Sequence, residues 1–145
     1  MKAVQILMVE DNPGDIELSR QALKQGKLLN DLHVVENGEA ALDFLYQRGE
    51  YADAVRPDLI LLDLNLPKVS GRDVLKQVKA DKNLAAIPLI VLSSSEDAND
   101  IKETYELNAN SFVTKPVQVE DFITVVNSIE QFWIEIVKLP SGVNI

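Results

Sequence analysis

The sequence predicts an α/β domain: a single doubly wound, five-stranded parallel sheet with five flanking helices. Two observations carry this reading. Five short apolar runs alternate with five longer stretches of helical spacing, the pattern of a parallel sheet wrapped on both faces. The apolar runs are also near-continuous in Ile, Leu and Val, as strands buried on both faces must be. With 145 residues and no linker, repeat or low-complexity segment, one domain is expected.

The first strand is 4-VQILMV-9, and the first helix is 13-PGDIELSRQALKQGK-27. Ile16, Leu18, Ala22 and Leu23 form its apolar side, with Asn12 as N-cap and Pro13 at the first helical position. The second strand, 32-LHVV-35, leads through Asn37 into a helix over 38–49, where Ala41, Leu42 and Leu45 are in phase. The third strand is 59-LILL-62, followed by a helix over 71–81 with Val74, Leu75 and Val78 inward. The fourth, 89-LIVL-92, leads into a helix over 96–109, with Ser95 as its cap. The fifth, 112-FV-113, precedes a helix from Val119 to Val137. The core then spans about 4–130, with an extended helix and tail over 131–145.

That last helix carries two apolar stripes. Phe122, Val126, Ile129, Trp133 and Val137 form one; Val125, Phe132, Ile136 and Leu139 form the other. One stripe serves the domain's own core, and the second fits either a tail folded back over its own domain or a contact with another chain. We read it as a homodimer surface, with Phe132, Ile136 and Leu139 as contact residues.

Composition excludes several classes of function. There are 14 Lys+Arg against 23 Asp+Glu, a net charge of −9, and no basic stripe, so nucleic-acid binding is not expected. No apolar run approaches the roughly 18 residues of a membrane span. Met1-Lys2 runs almost directly into the first strand, so no signal peptide is expected. With no cysteine there is no disulfide frame. A cytoplasmic location fits all of this.

Ligands of an open parallel sheet sit outside the carboxyl ends of its strands, where strand order reverses. Glu10-Asp11, Asp63, Ser93 and Lys115 all follow such ends. In the order 2-1-3-4-5 the first and third strands are neighbours, which brings Glu10, Asp11 and Asp63 together. Adjacent carboxylates cannot all stay ionised without a cation. Oxygen ligands of this kind suit a hard ion such as Mg²⁺. His33, the single histidine, lies in an apolar run away from this edge and reads as a packed or surface residue.

At these residues the chain resembles the receiver domain of bacterial two-component response regulators. The matching features are Glu10-Asp11, Asp63 after its apolar run, the loop 65-NLPKVSG-71, Ser93, and Lys115-Pro116. Within that family it is similar to the small regulators paired with phytochrome histidine kinases, in 41-ALDFLYQRGEY-51, 57-PDLILLDLNLP-67 and 130-EQFWIEIVKLP-140. The resemblance implies a flavodoxin-like fold with strand order 2-1-3-4-5 and a Mg²⁺-dependent phosphoryl transfer from a histidine kinase to Asp63. It also implies a homodimer.

The implied roles are specific. Asp63 is the nucleophile. Asp11 and Asp63 hold Mg²⁺ through side chains, Asn65 through its backbone carbonyl, and Glu10 through water. Lys115 binds phosphoryl oxygens, Ser94 offers a backbone N–H, and the Lys115–Pro116 bond is cis. Ser93 and Phe112 form the switch: the Ser93 hydroxyl moves to the phosphoryl group, and the Phe112 ring turns into the space behind it. The face of the fourth helix, fifth strand and fifth helix then changes for a partner. The chain is a phosphoacceptor rather than an enzyme on this reading. An aspartyl-phosphate-type phosphohydrolase would need a second acid two residues after the nucleophile, where this chain has Asn65. A non-phosphorylated scaffold would not need the acidic set or Lys115.

Overall fold

The computed structural model describes residues 3–25, 29–64, 66, 68–93, 98–109 and 111–115. Strands β1 (Val4–Val9), β2 (Asn30–Val35), β3 (Leu59–Leu62), β4 (Leu89–Ser93) and β5 (Ser111–Thr114) form one sheet in the order β2-β1-β3-β4-β5. Every pair is parallel: Ile6 lies opposite Leu32 on one side and Leu59 on the other, Ile60 opposite Leu89, and Ile90 opposite Ser111. Four helices are described, α1 (Pro13–Gln25), α2 (Gly38–Tyr46), α3 (Gly71–Ala80) and α4 (Ala98–Glu106). The fifth helix of the sequence reading, with Phe132, Ile136 and Leu139, lies outside the described residues, as does the Lys115–Pro116 bond.

Side chains alternate across a strand, so the central runs split between two cores. Leu7, Val9, Ile60, Leu62, Leu89 and Val91 point to one face, where they meet Leu42 and Leu45 of α2 and Val74, Leu75 and Val78 of α3. Val4, Ile6, Met8, Leu59, Leu61, Ile90 and Leu92 point to the other, against Ala22 and Leu23 of α1. All four residues of β3 are buried. Full burial of one such aliphatic side chain contributes about 1.5–3 kcal/mol, so this four-residue run anchors both layers.

The caps follow local chemistry. Asn12 Oδ1 accepts from Asp15 N at 3.0 Å and starts α1. Asn37 Oδ1 accepts from Ala40 N at 2.8 Å and starts α2. Ser70 Oγ accepts from Asp73 N at 3.2 Å and starts α3. These bonds satisfy backbone donors that have no partner inside the helix.

Several boundaries differ from the expectation: β4 runs on to Ser93, β5 spans Ser111–Thr114, and α3 ends at Ala80. β2 begins at Asn30, ahead of the apolar run, because Asn30 and Asp31 pair with Val4 and Gln5. α2 stops at Tyr46 rather than 49, because Gln47 takes a left-handed conformation (φ 55°) and a 3-10 turn, Gly49–Tyr51, follows. α4 ends at Glu106 rather than at 109. Its position is tied to α3 by Arg72, whose guanidinium pairs with Asp100 and, at 3.2 Å, with Glu103. His33 packs as expected: its Nε2 lies 2.8 Å from Gln5 Oε1, and its ring is tilted against Phe44.

Candidate functional site

Parallel pairing of β1 with β3 puts the residues that follow them side by side. Asp63 N donates to Val9 O, and Glu10 N donates to Val35 O, both at 3.0 Å. The two acids are therefore held by the sheet ladder itself. One carboxylate oxygen each from Glu10, Asp11 and Asp63 lie within 4.8 Å of one another. Glu10 is 1% exposed and Asp63 8%, whereas Asp11 faces solvent.

Lys115 follows β5, and its backbone N donates to Ser93 O at 2.7 Å. Its side chain crosses the end of β4 to reach the acids. Nζ lies 2.5 Å from Glu10 Oε2, 2.9 Å from Asp15 Oδ2 and 3.3 Å from Asp63 Oδ2. The other Glu10 oxygen accepts from Asn12 N at 3.1 Å. Burial by itself would lower the Lys115 pKa. Its hydrogen bonds to Glu10 and Asp15 and the charges of Asp63 and Glu10 outweigh burial and hold the ammonium above its usual range. Glu10 goes the other way for an acid: burial pushes it up to about 7, the Lys115 hydrogen bond opposes that, and the Asp63 charge adds to it. One ammonium cannot neutralise the whole cluster, so its most buried carboxyl holds a proton most readily.

The donor set fits a divalent cation. It is all oxygen, it is anionic beyond what Lys115 offsets, and its exposed member leaves one side open to water, as a hard ion requires. Glu10, Asp11 and Asp63 are the described residues that would hold it.

Ser93 is fully buried at the end of β4, opposite Thr114 of β5. Phe112 pairs with Val91 through its backbone; its ring lies outside the described residues, as do Asn65 and Ser94. Sequence reasoning missed one residue, Asp15, and the role of another, Gly71, which it had placed only as the end of the loop 65–71. Asp15, in the first turn of α1, is the third partner of Lys115. Its signal was the helix start: α1 begins at Pro13, with only Asn12 between it and the acidic pair, so its first turn must stand at the same sheet edge. Gly71 N donates to Leu64 O at 3.0 Å, and a Cβ there would sit 2.1 Å from the Asp63 carbonyl oxygen.

Comparison with known proteins agrees with this geometry. The family model described as the response regulator receiver domain matches residues 6–127. Response regulator Rcp1 of Synechocystis sp. is 43% identical over 137 residues, which are 94% of this chain and 93% of Rcp1. A crystal structure of the phosphorylated cyanobacterial phytochrome response regulator RcpA superimposes with a TM-score of 0.91 at 43% identity, covering 96% of this chain and 99% of that one. The Mn²⁺-bound form of Rcp1 gives 0.89 at 43% identity, covering 94% and 99%. With this strand order and this acidic edge, the chain belongs to the response regulator receiver domain family.

Proposed function

We propose that this response regulator is a single-domain phosphoacceptor: Asp63 takes a phosphoryl group from a histidine kinase in a Mg²⁺-dependent reaction. The observation that carries the reading is the convergence of Glu10, Asp11, Asp63 and Lys115 at one sheet edge. An Asp63 carboxylate oxygen attacks phosphorus, the bond from phosphorus to the donor histidine nitrogen breaks, and that nitrogen leaves with the electron pair. Positioning and charge neutralisation dominate such a transfer. A divalent ion, when bound, neutralises charge on the transferring phosphoryl oxygens. Lys115 supplies a second positive charge, and the carboxylates of Asp11 and Glu10 orient what binds there.

Ser93 ends the strand next to β3, which supports its hydroxyl as the group drawn to the phosphoryl; Phe112, on the strand that pairs with β4, would be its partner in the switch. The match of Rcp1 across 94% of this chain supports reading residues 1–145 as one receiver domain. The phytochrome relatives support a phytochrome-type kinase as the donor. The second apolar stripe of the C-terminal segment supports a homodimer through Phe132, Ile136 and Leu139. No helix among the described residues is long and apolar enough to cross a membrane, and the acidic, cysteine-free composition supports a cytoplasmic location.

Incubation with acetyl phosphate and Mg²⁺ will add the mass of one phosphoryl group to the wild type and none to Asp63→Asn. A chain that gains nothing, or that gains it equally in the variant, overturns the reading. Affinity for Mg²⁺ will also depend on pH. Glu10 must lose its proton to serve the ion, and its pKa stands at about 7. Binding therefore weakens as pH falls through that value, by about tenfold between pH 8 and pH 6. Calorimetric titration of Glu10→Gln will show that slope removed; an unchanged slope assigns the proton elsewhere.

A further inference from the structure

Lys115 has three N–H donors, and three carboxylates receive them: Glu10, Asp15 and Asp63. Two of those acceptors belong to the cluster that suits a cation, and Asp63 is also the nucleophile. Asp15 belongs to neither: the oxygens that gather within 4.8 Å come from Glu10, Asp11 and Asp63. Cation binding and phosphorylation thus claim two partners of the ammonium and leave one.

Asp15 is firmly mounted. Its backbone N donates to the capping Asn12 side chain at 3.0 Å. Its carbonyl oxygen accepts from the buried Ser19 hydroxyl at 2.8 Å. The first turn of α1 is therefore braced on both sides of the residue, and the Asp15 side chain, 27% exposed, closes over a Lys115 side chain that is 9% exposed. Lysine is a flexible stem with a point charge, so its placement over a small target needs an external anchor.

We propose that Asp15 is a positioning residue for phosphoryl transfer: it keeps one Lys115 N–H throughout the cycle and so aims the other two at the transferring group. The inference rests on the phosphoacceptor reading of Asp63. An acid in the first turn of a helix ordinarily complements the helix dipole, and that role alone requires no lysine.

The test is a double-mutant cycle on the full chain with Asp15→Asn, Lys115→Met and the pair, with Asp15→Glu as the conservative variant. The initial rate of phosphorylation by phosphoramidate at saturating Mg²⁺ is followed by intact mass, and Mg²⁺ affinity by calorimetry. Asp15→Asn will slow phosphorylation by about tenfold, because a misaimed catalytic group costs rate steeply. Its Mg²⁺ affinity will change by less than about threefold, since Asp15 is not a ligand. Asp15→Glu will recover part of the rate. With Lys115→Met already present, Asp15→Asn will change the rate by less than about twofold, the non-additivity of two residues acting as one unit. A wild-type rate in Asp15→Asn overturns the proposal, and so does an equal loss in both backgrounds, which marks a role in helix α1 alone. If the wild type itself takes no phosphate at Asp63, the functional reading fails and this inference with it; if it does and Asp15→Asn matches it, only this inference fails.

Discussion

Gly71→Ala will destabilise the domain by about 3 kcal/mol and slow phosphorylation of the folded fraction by about a hundredfold. Alanine is the better helix former by about 1 kcal/mol, so propensity alone predicts the opposite sign. The clash decides. A Cβ at Gly71 would stand 2.1 Å from the Asp63 carbonyl oxygen, 2.6 Å from Leu64 Cα and 2.9 Å from the Asp63 carbonyl carbon. All three are backbone atoms and cannot swing aside as a side-chain tip can. Relief requires the start of α3 to withdraw from the end of β3, although Val74, Leu75 and Val78 hold that helix against the sheet. Any compromise displaces Asp63, and a displacement of about 1 Å at a reacting group is enough to cost that factor in rate. Urea titration reads the first effect and intact-mass kinetics the second. Gly38→Ala separates them. Its Cβ would stand 2.0 Å from the Val69 carbonyl oxygen, so it will cost stability while disturbing Asp63 less. An alanine variant at position 71 with wild-type stability and rate would show that α3 does not need this close approach.

Gly71 also shows where sequence reasoning ends. The residue stood out as the end of the loop 65–71, but its reason is a contact with the backbone of Asp63 and Leu64, and such a contact has no signature in composition. The strands were legible because burial on both faces demands unbroken apolar runs. The start of β2 was not, because Asn30 and Asp31 join through backbone pairing and through Gln5 Nε2 donating to Asp31 Oδ2 at 2.8 Å, and polar residues at a strand's beginning carry no hydrophobic period. The end of α2 was hidden for a different reason: Gln47 adopts a left-handed conformation, which is usually signalled by glycine or asparagine. Of the site, Glu10, Asp11, Asp63 and Lys115 were legible because their charges make little sense one at a time. Asp15 was not, since an acid in a first helical turn already has an ordinary explanation.

Lys115→Met will cost the ion-free protein roughly 3 kcal/mol at pH 8.5, and much less at pH 5.5. Lys115 is the described cation that reaches Glu10 and Asp63, both buried. Removing one partner of a buried charge set is expensive because the remaining charges stay out of water. The group with an escape is Glu10, whose pKa already stands at about 7 and will rise further without the ammonium. A carboxyl whose folded pKa lies above its unfolded value stabilises the fold most when protonated. That contribution is fully present below the ordinary carboxylate range and is lost as pH rises through the folded value. The variant will therefore approach wild-type stability in acid and fall away from it through neutral pH. Mg²⁺ will reverse the loss, because the ion takes over the charge that Lys115 supplied and no longer competes with it for Glu10 and Asp63. At a hundred times its dissociation constant it restores about 2.7 kcal/mol, and the variant will bind it more tightly than the wild type does. Urea titrations at both pH values, with and without Mg²⁺, provide the check. A variant at pH 8.5 that matches the wild type without the ion would mean that the carboxylates of Glu10 and Asp63 do not depend on Lys115 for their charge balance.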